Sequence, residues 1–129
     1  MAGLRVLGRI DERALKKEFG DLRTEEVIVT EERIKHIQER HSQDVTLFEL
    51  YGKETVSEPD LIIKDGKNKG TVFMIKYLPD CNINVVVRLV LETEDEGLKN
   101  SVMTFYRIRT RNLEKLLKKN KVIYRKEIL

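Results

Sequence analysis

Hydrophobic spacing changes once along this chain, near residue 60. Before that point, short apolar runs alternate with stretches at helical spacing; beyond it, β-branched runs are separated by turn signals. "LRVLGRI" (4–10) alternates as a strand does, and "DERALKKEF" (11–19) gives one or two helical turns closed by Gly20. "EVIVT" (26–30) is a short β-branched strand. Thr30 then caps a helix predicted to run to His41, with Glu31 and Glu32 in its first turn, where the helix dipole favours negative charge. "DVTLFELYGKE" (44–54) gives a second helix, expected to break near Gly52.

From residue 60 the spacing predicts strands. "DLIIKD" (60–65) and "TVFMIKYL" (71–78) are joined by "DGKNKG", whose Asp-Gly step signals a hairpin or a close relative. "INVVVRLVLE" (83–92) follows a tight Pro-Asp-Cys-Asn connection, and the acidic "TEDEGLK" leads into "NSVMTFYRIRT" (100–110). "NLEKLLKKN" (112–120) reads as a short amphipathic helix, and "KVIYRKE" as a last strand. The expected class is α+β, with N-terminal helices packed on an antiparallel meander of four to five strands. Helices must cover one face of it, because an uncovered sheet would leave its inner apolar positions wet.

The chain's 129 residues suit one domain with a core that needs no staples, residues 1–21 being either part of it or an extension. A single cysteine, Cys81, excludes a disulfide framework within this chain and fits a reducing cytoplasm. The first twenty residues hold no long apolar run, so neither a signal peptide nor a membrane anchor is expected there. Charge is uneven. Residues 1–65 carry 11 Lys/Arg against 15 Asp/Glu, a net of −4, whereas residues 107–129 carry 9 against 2, a net of +7. A basic end on a nearly neutral body points to a polyanion partner, RNA first; the alternative is a solvated basic face.

The two histidines, in "RIKHIQERH" (33–41), are the first candidates for chemistry. At about 100° per residue, His41 shares a face with Ile34 and Ile37, while His36 lies about 140° away and groups with Glu32 and Arg40. The two converge only if His41 swings round on an irregular turn at the helix end. Otherwise His41 is a core-edge residue bonded to a carbonyl and His36 a surface residue. Their i, i+5 spacing lacks the register that lets two imidazoles bind one zinc, so no metal is expected, nor any cofactor. In a regular strand, Asn100, Val102, Thr104, Tyr106 and Ile108 share one face, so Asn100 and the Thr104–Tyr106 hydroxyl pair form a row able to hold a phosphate. The plainer alternative is that Thr and Tyr are simply good strand residues. Arg88, a cation within "NVVVRLVLE", faces solvent, a carboxylate or an anion, and pairing of its strand with 100–110 brings it near Thr104.

Taken together, "VIVTEERIKHIQERH", "PDLIIKD", "NVVVRL", "KNSVMTF" and "LLKKNKVIYRKE" resemble the phage-type branch of the Barnase/EndoU/colicin/RelE-like (BECR) nuclease fold, over roughly residues 22–127. The resemblance implies a metal-independent endoribonuclease or toxin of phage or mobile-element origin. It implies catalytic roles for His36, Arg40 and His41, from the "H-I-x-x-R-H" helix, and for the strand hydroxyls of Ser101 and Thr104. Thr104 and Tyr106 look like the Thr–x–Tyr pair of EndoU-like relatives, whereas the lysine of those relatives has three candidates here: Lys35, Lys76 and Lys99.

The chemistry implied is attack of the ribose 2′-OH on the adjacent phosphorus. His41 would act as base or acid with His36 as its partner, Arg40 or Arg88 would stabilise the phosphorane, and Ser101, Thr104, Tyr106, Asn100 and Lys99 would hold substrate. A toxin would add a neutralising partner protein. Two other readings stand beside it: an inactive RNA- or protein-binding module with the same fold, and an accessory protein of a mobile element that touches no nucleic acid.

Overall fold

The β-branched runs after residue 60 fold into a sheet larger than a four- or five-stranded meander. The structure, a computed structural model, describes residues 3–91, 94 and 97–126. Glu92, Thr93, Asp95 and Glu96, the last three from the acidic stretch "TEDEGLK", and Glu127 lie outside the described residues. The strands are β1 (Leu4–Arg9), β2 (Glu26–Thr30), β3 (Leu61–Lys64), β4 (Thr71–Tyr77), β5 (Asn82–Arg88), β6 (Asn100–Ile108) and β7 (Val122–Arg125). The helices are α1 (Lys16–Phe19), α2 (Glu31–Arg40), α3 (Val45–Ser57) and α4 (Thr110–Lys119). Among the described residues the seven strands form one sheet in the order β1-β2-β6-β5-β4-β3-β7. The sheet is mixed: β2 pairs parallel with β6, and the other named pairs are antiparallel. β1 and β2 extend one side, β7 the other, and Ile10 and Leu15 are buried in the same core as the sheet.

Strand alternation divides the buried side chains into two layers. Ile62, Val72, Met74, Ile83, Val85, Val87 and Phe105 meet Ile37 of α2 and Phe48 of α3 on one face. The rings of Phe48 and Phe105 meet edge-on, with centroids 5.0 Å apart. Leu61, Ile63, Ile75 and Ile108 meet Leu113 of α4 on the opposite face. Helices therefore lie on both faces, not one. Because α4 has only ten residues, about 15 Å of rise, it covers only part of its face.

Helix α3 runs through Gly52 without a break. A Cβ there would meet the Phe48 ring at 3.2 Å and Leu7 at 3.4 Å, so the glycine admits close packing against β1 rather than ending the helix. No helix among the described residues is long and apolar enough to cross a membrane.

Candidate functional site

The open part of the α4 face is where candidate chemistry gathers. On β5, Asn84, Val86 and Arg88 alternate with the buried Ile83, Val85 and Val87 and point to this face. Their partners on β6 are Tyr106, Thr104 and Ser101; on β4 they are Ile75, Phe73 and Thr71. Beyond the reach of α4, a cleft of about 720 Å³ is lined by Thr71, Phe73, Val86, Arg88, Met103, Thr104 and Tyr106 together with the 65–69 loop.

That alignment depends on a β-bulge. Val86 pairs with Thr104 but Val87 pairs with Val102, so Met103 is the extra residue. The bulge reverses the side-chain phase within β6 and corrects the expected row. Thr104, Tyr106 and Ile108 face α4 and the cleft, whereas Asn100 and Val102 face the other layer. Asn100 is fully buried there: its carbonyl oxygen accepts from the Val90 amide at 2.8 Å, and its Nδ2 donates to the Thr24 and Glu26 carbonyls at 2.7 and 2.9 Å. It is a bracket between chain segments, not a substrate ligand. Ser101 lies half-buried opposite Arg88, beside the cleft but outside its lining.

His41 reaches the same place from the other layer. β2 pairs with β6 through only two residues, Val27 and Ile28, which leaves the later part of β6 without a strand on that side. The end of α2 takes its place. His41 caps α2 in a non-helical conformation, with its amide donating to the Ile37 carbonyl. Its ring stacks on Tyr106, centroids 5.8 Å apart and planes at 29°, and its side chain is 38% exposed. Asp44, one turn on, is buried and accepts from Arg107 Nε at 2.7 Å and from the Arg107 amide at 3.3 Å, which closes the open edge of β6. His41 Nδ1 lies 4.0 Å from Asp44 Oδ2, too far for a hydrogen bond but close enough for a favourable charge interaction when the ring is protonated. Tyr106 joins the two groups. Its oxygen accepts from Asn84 Nδ2 at 3.1 Å, which leaves the phenolic proton for another acceptor.

The cationic wall differs from the expected one. Arg88 Nη2 donates to Glu94 at 2.9 Å, and Nη1 to the Leu89 carbonyl. Its guanidinium packs over Gly70, whose φ of 81° and lack of a side chain make the approach feasible. The Leu91 amide, followed by Arg88, holds the Glu94 carboxyl below the usual carboxylate range, while burial pushes it the other way. A depressed carboxyl stabilises the fold above that range and loses its contribution as pH falls through it. The urea midpoint of wild type is therefore expected to exceed that of Glu94→Gln at pH 7 and to converge with it in acid. A gap independent of pH would show that the ion pair contributes nothing. Lys67 and Lys69 remain on the loop beside the cleft, which Asp65 folds by accepting from the Lys67 amide at 2.8 Å and from Asn68 Nδ2 at 2.9 Å.

Other expected site residues lie apart. His36 and Lys35 line a separate concavity with Thr30, Glu32, Arg33 and Glu39, because regular helix geometry keeps His36 off the His41 side. Arg40, one turn after His36, is exposed on that same side. Lys76 is buried on the α3 layer, donating to the Glu58 carbonyl at 2.8 Å, and Lys99 is exposed outside the cleft lining. Among the described residues, no three His, Cys, Asp or Glu side chains are grouped so as to hold a metal ion.

A family model described as phage-Barnase-EndoU-ColicinE5/D-RelE like nuclease2, PBECR2, matches residues 3–125. The chain belongs to the PBECR2 family. The match includes β1 and so reaches further toward the N-terminus than residues 22–127, over which the sequence motifs carry the resemblance. No curated protein and no solved structure matches the chain. Within this PBECR2 domain, sequence reasoning missed Asp44, Asn84, Lys67 and Lys69. Asp44 stands three residues after His41, Asn84 is the polar position before "VVVR", and "DGKNKG" was legible as a turn but not as a cationic wall.

Proposed function

We propose that this PBECR2 domain is a metal-independent endoribonuclease acting at the sheet-face cleft. The observation that supports this most directly is the stacking of the His41 ring on Tyr106, which lines the cleft together with Thr104, Lys67 and Lys69. In this reading His41 takes the ribose 2′-OH proton, the 2′ oxygen bonds to phosphorus, and the bond to the 5′ oxygen breaks, leaving a 2′,3′-cyclic phosphate. The departing 5′ oxygen takes a proton from solvent. Thr104 and Tyr106 donate to the phosphoryl oxygens, and the loop lysines offset the charge that builds there. A phage or mobile-element origin, a cytoplasmic setting and a neutralising partner protein belong to the same proposal.

A second reading is favoured by the Arg88–Glu94 pair and by the separation of His36 from the cleft. With one arginine neutralised and one histidine remote, the same surface would bind RNA without turning it over. One assay separates the two. Single-stranded RNA incubated with the protein in EDTA should yield fragments ending in cyclic phosphate, and a DNA strand of the same sequence should stay whole, since it lacks the nucleophile. Equal cutting of DNA, or intact RNA that is nevertheless bound, would overturn the ribonuclease reading; the latter result would support the binding module.

A further inference from the structure

We propose that the solvent ridge of α4 is a second RNA-contacting surface, which holds phosphates beyond the one in the cleft. The inference rests on the ribonuclease reading above for its substrate, but on separate residues. Leu113, Leu116 and Leu117 turn inward to the apolar layer that includes Tyr106 and Phe73, two residues of the cleft lining, so α4 ends beside the cleft. The opposite side of the helix carries Arg111, Lys115 and Lys118 at i, i+4, i+7 spacing, with Lys119 adjacent and Glu114 the lone acidic residue in the helix.

Pairing separates these cations from Arg107 and Lys121 of the basic segment. Lys64 and Lys121 are both held by Glu18 at 2.9 Å, and Arg107 by Asp44. Arg111, Lys115, Lys118 and Lys119 make no ion pair among the described residues. The helix dipole explains only half of them. Lys118 and Lys119 sit in the last turn, where cations are favoured, but Arg111 occupies the first turn, which holds no acidic residue and no side-chain cap. A cation placed where the dipole opposes it is better explained by an external anion than by helix stability.

The ridge also connects to the cleft. Asn120, at the end of α4, accepts from the Gly66 amide at 2.9 Å and donates to the Leu116 carbonyl at 3.1 Å. That bracket fixes the loop bearing Lys67 and Lys69 against the basic end of the helix, so the cations form one track from cleft to ridge. A flexible single strand fits such a track, because it can follow a bend that a rigid duplex cannot. On the other side of the sheet, α2 interleaves Arg33, Lys35 and Arg40 with Glu31, Glu32 and Glu39, which leaves no comparable field.

The test uses the full chain and a single strand of 2′-O-methyl RNA, roughly 20 nucleotides long, whose blocked 2′ oxygen prevents cleavage while its phosphates remain. Binding is read by fluorescence anisotropy over a range of KCl concentrations. Arg111→Gln/Lys115→Gln/Lys118→Gln is expected to flatten the plot of log affinity against log salt by about 2, at roughly 0.7 for each phosphate of a single strand that is no longer neutralised. Lys17→Gln/Lys53→Gln, a control on exposed sites, is expected to leave the slope in place. An unchanged slope in the α4 variant would overturn the proposal and leave the ridge to an acidic protein. Equal flattening per charge in both variants would also overturn it, by reducing the effect to net charge. Cleavage of unmodified RNA by wild type is scored in parallel. If it fails while the slopes differ as expected, the ribonuclease reading falls and the ridge stands; cleavage with unchanged slopes means the reverse.

Discussion

His41→Ala is expected to lower RNA cleavage about 10²–10⁴-fold in EDTA, the range typical of a lost acid–base group, with the fold intact by circular dichroism. Fold retention is expected because the imidazole is not a core element: it is 38% exposed, and its main contact is the stack on Tyr106. His36→Ala should lose no more than about threefold, since that ring opens on a different concavity and can touch the substrate only outside the cleft. The asymmetry is the informative part. Both histidines lie in one helical segment, so a purely electrostatic contribution to RNA binding would weaken both variants alike. Equal large losses would return His36 to the site and require α2 to unwind at its end when RNA binds. No loss in either would make the His41–Tyr106 stack structural and transfer the chemistry elsewhere.

The second large effect falls on stability. Asn100→Ala removes one side chain but takes a partner from three backbone groups: the buried Val90 amide and the part-buried carbonyls of Thr24 and Glu26. Each such group costs about 1–3 kcal/mol when unsatisfied, so a loss of about 3 kcal/mol is expected after partial relaxation. For a domain of this size that lowers Tm by about 10 °C, measurable by thermal denaturation. Cleavage per folded molecule at low temperature should stay close to wild type, because Asn100 faces away from the cleft. A variant of normal stability that had lost RNA affinity would reverse the assignment and restore Asn100 to the substrate row. Asn100→Asp is a useful companion: it keeps the acceptor for Val90 but brings a carboxylate to two carbonyl oxygens, so it should be no more stable than the alanine variant.

Much of this architecture could be read locally. Strand β2 and the Thr30 cap were legible because β-branched alternation and an N-cap followed by two glutamates are short-range signals, and Thr30 accepts from the Arg33 amide at 3.0 Å as such a cap should. The helix break expected at Gly52 failed for a long-range reason. Intrinsic propensity disfavours glycine in a helix by about 1 kcal/mol, but the space it leaves is used by Phe48 and by Leu7 of a distant strand. The parallel pairing of β2 with β6 was equally out of reach, because no local pattern says which strands become neighbours across 70 residues.

The candidate site divides the same way. By itself, the sequence determined the residue types available for chemistry, the polarity of the two faces of α2, the basic character of the last segment and the membership of Tyr106 and Thr104 in one strand face. Only the tertiary structure decided which of these meet. A one-residue bulge at Met103 turned Asn100 away from Thr104, because side chains alternate with a period of two and one extra residue reverses the phase. The short β2–β6 pairing left an edge for the end of α2, which brought His41 to Tyr106 and kept His36 away. Glu94 claimed Arg88, since a half-buried cation beside a carboxylate is paired first by its own chain. Composition lists the groups able to catalyse; register and pairing, set between segments distant in sequence, choose among them.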